Sequence, residues 1–103
     1  MPPNWKTVTV GATAILALGY NKDRATIVIY NTSTNTIYWD HSPTVTTSTG
    51  GPVVTNQSVI LQESDNDYTH DPIYLIAAQG GNDVRIYEST KIGSLLEIFR
   101  ELR

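Results

Sequence analysis

The side chains best suited to chemistry in this chain are few and scattered. There are two histidines, His41 and His70. Asp40-His41 has the composition of an acid–base pair. Adjacent residues on a strand, however, point to opposite faces, so the pair reads as two turn residues after Trp39. No Gly-x-Ser-x-Gly elbow is present, and no serine is set apart from the many others. The chain has no cysteine, which excludes thiolate catalysis, thiolate metal sites and disulfides, and leaves the redox compartment unconstrained. No catalytic residue is assigned, and no enzyme activity is expected.

A second cluster is acidic. Glu63, Asp65, Asp67, His70 and Asp71 fall within one short stretch. A hard cation such as calcium needs several oxygens converging from a loop. The stretch lacks the glycine and closing glutamate of a calcium-binding EF-hand. A hydrated acidic loop is the plainer reading, serving to deter wrong pairing or to meet a basic partner. Asp65, Asp67, His70 and Asp71 remain the positions at which to look for a metal, but no metal or cofactor is expected. Gly80-Gly81 is not a phosphate loop, since no Lys and Ser/Thr follow into a helix. It reads as a turn that needs positive φ. Tyr20, Tyr30, Tyr38, Trp39, Tyr68, Tyr74 and Tyr87 have two readings. They form platforms for sugar or protein, or they are core and cross-strand pairs.

Composition narrows the classes further. The length of 103 residues suits one domain. Hydrophobic residues at 40% argue for a folded core, and charged residues at only 17%, with abundant Thr, Ser and Asn, favour sheet faces and turns over helix surfaces. The net charge is −3, and the seven basic residues form no stripe, so nucleic-acid binding is not expected. The apolar stretch around Ala12–Leu18 is far too short to span a membrane. It also lacks the flanks of a signal peptide. The Asn-x-Ser/Thr matches at Asn31 and Asn56 are read as turn chemistry.

These residues must be carried by short strands. Lys6–Val10 alternates, with Val8 and Val10 on one face. Ala12–Leu18 fits either a strand or one or two helical turns, and Gly19–Asp23 is a turn. Ala25–Tyr30 is apolar on both faces, the pattern of a central strand covered on both sides. Asn31–Asn35 is turn chemistry, and Thr36–Trp39 follows with Ile37 and Trp39 on one face. The two runs read as a β-hairpin. His41–Gly51 is an irregular or edge-like connection leading to Pro52, which cannot donate to a ladder. Gln57–Gln62 is a strand with Val59 and Leu61 on one face, and Glu63–Pro72 is a solvated loop. Ile73–Ala78 is a second central strand, and Val84–Tyr87 returns after Gly80–Asp83 as a second hairpin.

The end changes character. Ile92, Leu95, Leu96, Phe99 and Leu102 fall on one face at helical spacing, and Ser94 with Glu97 matches a capping box. The spacing predicts a short amphipathic helix over 91–103, beyond a β domain over 1–90. So short a helix must dock its stripe. It either caps one end of its own sandwich or meets another copy or a neighbouring subunit. Its place at a chain end, after Ser89-Thr-Lys-Ile-Gly93, favours the contact between chains. The fold class expected is all-β, an antiparallel β-sandwich or small barrel with a C-terminal helix.

From Ala12 to Glu88 the chain resembles a group of small phage and virus structural proteins. The resemblance lies in Ala12-Thr-Ala-Ile-Leu-Ala-Leu18, Asn21-Lys-Asp-Arg24 and Thr26-Ile-Val-Ile-Tyr-Asn31. It continues through Asn31-Thr-Ser-Thr-Asn-Thr-Ile-Tyr38, similar to "N-T-G-T-N-T-V-Y", and Ser42-Pro-Thr-Val-Thr-Thr-Ser-Thr-Gly50, similar to "P-T-V-T-T-S-N-G". Asp71-Pro-Ile-Tyr-Leu-Ile-Ala-Ala78 with Asp83-Val-Arg-Ile-Tyr-Glu88 resembles the closing hairpin. Trp39-Asp40-His41 replaces the group's usual glycine, and the acidic loop and C-terminal helix are additions. The resemblance implies a β-sandwich virion component such as a capsid decoration (cement) protein. Such a protein is made in the host cytoplasm, sits on the capsid surface as a homo-oligomer, and has the capsid protein as partner. A head–tail or tail component is the alternative within virions. From another class, a carbohydrate-binding sandwich is the alternative.

Overall fold

A computed structural model of the chain describes residues 5–63 and 68–90. Eight strands form: β1 Trp5–Val10, β2 Ile15–Leu18, β3 Arg24–Asn31, β4 Ile37–Asp40, β5 Gly51–Val53, β6 Ser58–Gln62, β7 Ile73–Ala77 and β8 Asn82–Thr90. They make two four-stranded antiparallel sheets, ordered β1-β8-β3-β6 and β2-β7-β4-β5. The expected sandwich is present and is not a closed barrel. The helix expected over 91–103, with Ile92, Leu95, Leu96, Phe99 and Leu102, lies outside the described residues.

The pairing has a simple rule. β1 pairs with β8, β2 with β7, β3 with β6 and β4 with β5. The chain therefore folds as one long hairpin, doubled at the β4–β5 turn and then rolled so that successive strands alternate between sheets. β8 beside β3 and β7 beside β4 close the roll. This is the strand order of a double-sheet jelly roll.

Both expected hairpins are therefore corrected. β3 and β4 lie in different sheets, as do β7 and β8. Asn31–Asn35 and the Gly80–Asp83 turn carry the chain across the sandwich. Turn-forming residues reverse the chain equally well within a sheet or across the roughly 10 Å between sheets, so their presence does not choose a partner. Gly81 does adopt the expected positive φ, at 77°. The sequential pair that does form a hairpin is β4–β5. There Gly50 is required by close approach, since a Cβ would stand 2.8 Å from both Tyr38 Cβ and Val45 Cγ2.

The core follows the alternation. Val10, Ile27, Ile29, Ile37, Ile73, Leu75, Val84 and Ile86 are fully buried between the sheets. Each such side chain contributes roughly 1.5–3 kcal/mol. Val8, Val59 and Trp39 pack against them, on the faces that the alternation indicates. β3 and β7 are interior strands, as expected, but each is covered on one face only; Val28, Tyr30, Tyr74 and Ile76 point outward and are half-buried. Ala12–Leu18 resolves as a strand, and Pro52 sits on the edge strand β5.

One end of the roll is closed by amides. Asn31 Nδ2 donates to the carbonyls of Asn35 at 2.8 Å and Val53 at 2.7 Å. Its Oδ1 accepts from Ser33 N–H at 2.9 Å and Ser33 Oγ at 2.7 Å. Asn35 Nδ2 donates to Asn82 Oδ1 at 2.8 Å, and Asn82 Nδ2 in turn reaches the carbonyls of Val10 and Gln79. The chain of bonds ties both sheets together where β3, β5 and β8 meet.

Replacing Asn31 by Ala should orphan several of these buried groups at roughly 1–3 kcal/mol each, for a loss of about 3 kcal/mol. For a domain this size that lowers Tm by more than about 10 °C. Thr9→Ala on the exposed face should stay within about 0.5 kcal/mol. Thermal and urea denaturation of the two variants would check this.

Candidate interaction surface

The positions singled out for chemistry scatter in the structure. Asp40 Oδ1 accepts the His41 backbone N–H at 2.6 Å, a turn bond and not an acid–base pair. His41 Nδ1 lies 3.0 Å from the Pro72 carbonyl, so it carries the proton there. The His41 ring also meets Trp39 edge-on at 5.4 Å and Tyr68 edge-on at 6.1 Å. His70 Nε2 pairs with Glu63 Oε2 at 2.9 Å, half exposed. Asp65 and Asp67 lie outside the described residues. Among the described residues no three His, Cys, Asp or Glu side chains converge as a metal would require. Nor is any helix there long and apolar enough to cross a membrane.

The loop expected to be solvated is partly buried, and the reason is Arg24. This residue opens β3 and is 2% exposed. Its Nε donates to Glu88 Oε1 at 2.9 Å, NH2 to the Gly19 carbonyl at 2.7 Å, and NH1 to the carbonyls of Thr69 at 3.2 Å and Asp71 at 3.3 Å. Thr69 Oγ1 donates back to the Arg24 carbonyl at 3.0 Å. The planar guanidinium thus fastens the loops after β2 and before β7 to the first sheet. Asn21 N–H donates to the His70 carbonyl at 2.9 Å and joins the two loops directly. An arginine beside Asp23 in a polar turn gave no sequence signal of burial.

The outward faces are more informative. Register places Trp5 opposite Tyr87, Tyr87 opposite Val28, and Val28 opposite Ile60. One apolar row therefore crosses all four strands of the first sheet. Trp5 is 50% and Ile60 53% exposed, and the Trp5 and Tyr87 rings lie 5.3 Å apart. The adjacent row is Thr7, Arg85, Tyr30 and Ser58. On the second sheet Leu16 faces Tyr74, and Tyr38 lies between Ile76 and Pro52. Alternation read one strand at a time shows which residues point outward, but only register shows that they line up.

No family model matches the chain, and no curated protein matches it. Among solved structures, a chain described under the words "Bacillus endospore appendages form a novel family of disulfide-linked pili" is similar over 88% of this chain and 87% of that one. The identity is 16% and the TM-score 0.46, a likeness too distant to carry an argument about function.

Arg24→Met should leave the Glu88 carboxylate and three carbonyls without their shared donor. A cost of about 2–3 kcal/mol is expected, chiefly from the buried carbonyls left without a donor, since Glu88 is partly exposed. Amide exchange at Asn21 should accelerate more than at Ile29, because the loops lose their anchor before the core does. Equal acceleration at both sites would show that Arg24 serves global stability alone.

Proposed function

We propose that this chain is a virion structural protein, a capsid decoration protein that works by protein–protein contact and performs no catalysis. The observation that carries the reading is the apolar row Trp5–Tyr87–Val28–Ile60 on an outward sheet face. Exposed apolar groups aligned across a whole sheet are characteristic of a contact surface. The roll is supporting evidence by analogy of fold, since eight-stranded jelly rolls serve in viral capsid domains. The Thr- and Asn-rich blocks that resemble phage and virus structural proteins map onto the turns and strands of this roll.

The physical role follows from linkage. A protein that binds only the assembled shell stabilises that shell by mass action. Contacts repeated on a symmetric lattice add through effective concentration. A head–tail or tail component would use the same kind of face.

One observation favours a second reading. Tyr68 is 72% exposed, next to His41 and Trp39, at the end of the roll where Tyr20 is 66% exposed. Exposed aromatic rings are among the materials of a sugar site, and jelly rolls also serve in lectins.

Cosedimentation with empty assembled capsids and with unassembled capsid subunits of the encoding virus tests the first reading. Binding to shells and not to subunits is expected. Binding to neither, together with retention on a glycan array that Tyr68→Ala abolishes, would replace decoration by carbohydrate recognition.

A further inference from the structure

We infer that the outward face of the β1-β8-β3-β6 sheet is a self-association surface. Two copies pack face to face there about a two-fold axis running along the strands, between β8 and β3. This assigns the homo-oligomer that the resemblance implies to one face and one symmetry, and it leaves contact with a capsid to the surfaces the dimer keeps open.

The described outward positions of this sheet carry two charged side chains, Arg85 and Asp83, of opposite sign. Asp83 is already bonded through Oδ2 to Thr32 Oγ1 at 3.3 Å. The other charges on these strands stand elsewhere. Lys6 aligns with Ile86 on the core side, and Glu88 is held by Arg24. On this face two copies of a chain of net charge −3 meet without repulsion, whereas the outward face of the other sheet carries Asp40 with no cation beside it in its rows.

The register then selects the symmetry. A two-fold axis along the strands keeps each row at its own height and exchanges β1 with β6 and β8 with β3. Trp5 then lies over the partner copy's β6 at the height of Ile60, and Tyr87 lies over the partner copy's β3 at the height of Val28. Arg85 meets the ring presented at the height of Tyr30, a cation–π contact, and never faces another arginine. Thr7 falls opposite the height of Ser58. Every apolar residue meets an apolar one, and the single cation meets an aromatic face. A two-fold axis along the row would instead place Trp5 on Trp5 and move Arg85 off Tyr30. Two twisted sheets meeting in this way have strands about 30° apart, the usual aligned packing.

Edge-to-edge pairing is the competing route, and three of the four edge strands discourage it, β6 being the one left open. β1 carries the exposed charge of Lys6, β5 has three residues including Pro52, and β2 has a register shift between Leu16 and Leu18. These are recognised devices against edge pairing. The face has no such device.

The absence of cysteine makes the test clean. Sedimentation velocity of the full chain over about 1–200 µM should show a monomer–dimer equilibrium, as expected for an interface at the small end of the specific range. Ile60→Asp, at an exposed site, should weaken it at least tenfold with Tm unchanged. Thr7→Cys and Ser58→Cys chains, mixed and treated with a thiol crosslinker spanning about 10 Å, should link to each other. Neither should link to itself, because β1 and β6 are three strand spacings of about 4.8 Å apart. A monomer throughout, or a dimer in which either variant links only to itself, overturns the proposal. A dimer on this face takes up the row that the decoration reading uses and leaves capsid contact to another surface, whereas a monomer leaves the row free; cosedimentation measures capsid binding itself in either case.

Discussion

Rolling a doubled chain into two sheets leaves two open ends, and each must be closed without stranding polar backbone. That constraint governs the structure. Burying the Arg24 guanidinium obliges four acceptors, from Glu88, Gly19, Thr69 and Asp71, to converge on one point. The convergence fixes where three segments distant in sequence must lie. At the other end the Asn31–Ser33–Asn35–Asn82 network does the same with neutral amides. Among the described residues no buried side-chain polar atom lacks a partner. Half-satisfied networks of this kind would cost more than an apolar plug, so their completeness is what permits a roll with so small a core.

The choice of ionic closure at one end and amide closure at the other follows from the reach required. The Arg24 end must fasten residues 19–23 to the end of the ten-residue connection 63–72, and a long forked donor spans them. The Asn31 end has short crossings, where a short amide already sits within bonding distance of its neighbours. Thr69 shows how far the effect extends. It lies in an otherwise polar stretch, yet it is 1% exposed because both its carbonyl and its hydroxyl are recruited by Arg24.

This explains what could be read in the sequence. Strand existence and facing were legible wherever alternation was clear: Val8 and Val10, Ile37 and Trp39, Val59 and Leu61 all face the core as their spacing indicates. The edge role of Pro52 followed from its missing donor. Pairing was not legible, because Asn31–Asn35 and Gly80–Asp83 have the residues of hairpin turns and serve as crossings between sheets. Local chemistry specifies that the chain reverses, whereas the partner is chosen by burial of Ile27, Ile29 and Ile86 in one core. Arg24 was invisible for the same reason, since its acceptors are mostly backbone carbonyls, which carry no residue signature. The surface rows were hidden until register aligned Trp5, Tyr87, Val28 and Ile60.

The surfaces complete the argument from shape. Among the described residues the interior of the roll is filled and its ends are bonded shut, so the rims and faces are what it presents. The rims are held by bonds that serve the fold: His41 is committed to the Pro72 carbonyl and His70 to Glu63. The faces, by contrast, carry Trp5 and Ile60 exposed by half at the two ends of a row. The Trp5–Tyr87 pair shields part of this row within the isolated chain, but the half of Trp5 and of Ile60 left in water contributes little to its stability. Outward strand positions accept Thr or Ser at little cost, and this chain uses them freely in the rows on either side. Apolar side chains held in register across four strands therefore give this face the composition of a contact surface.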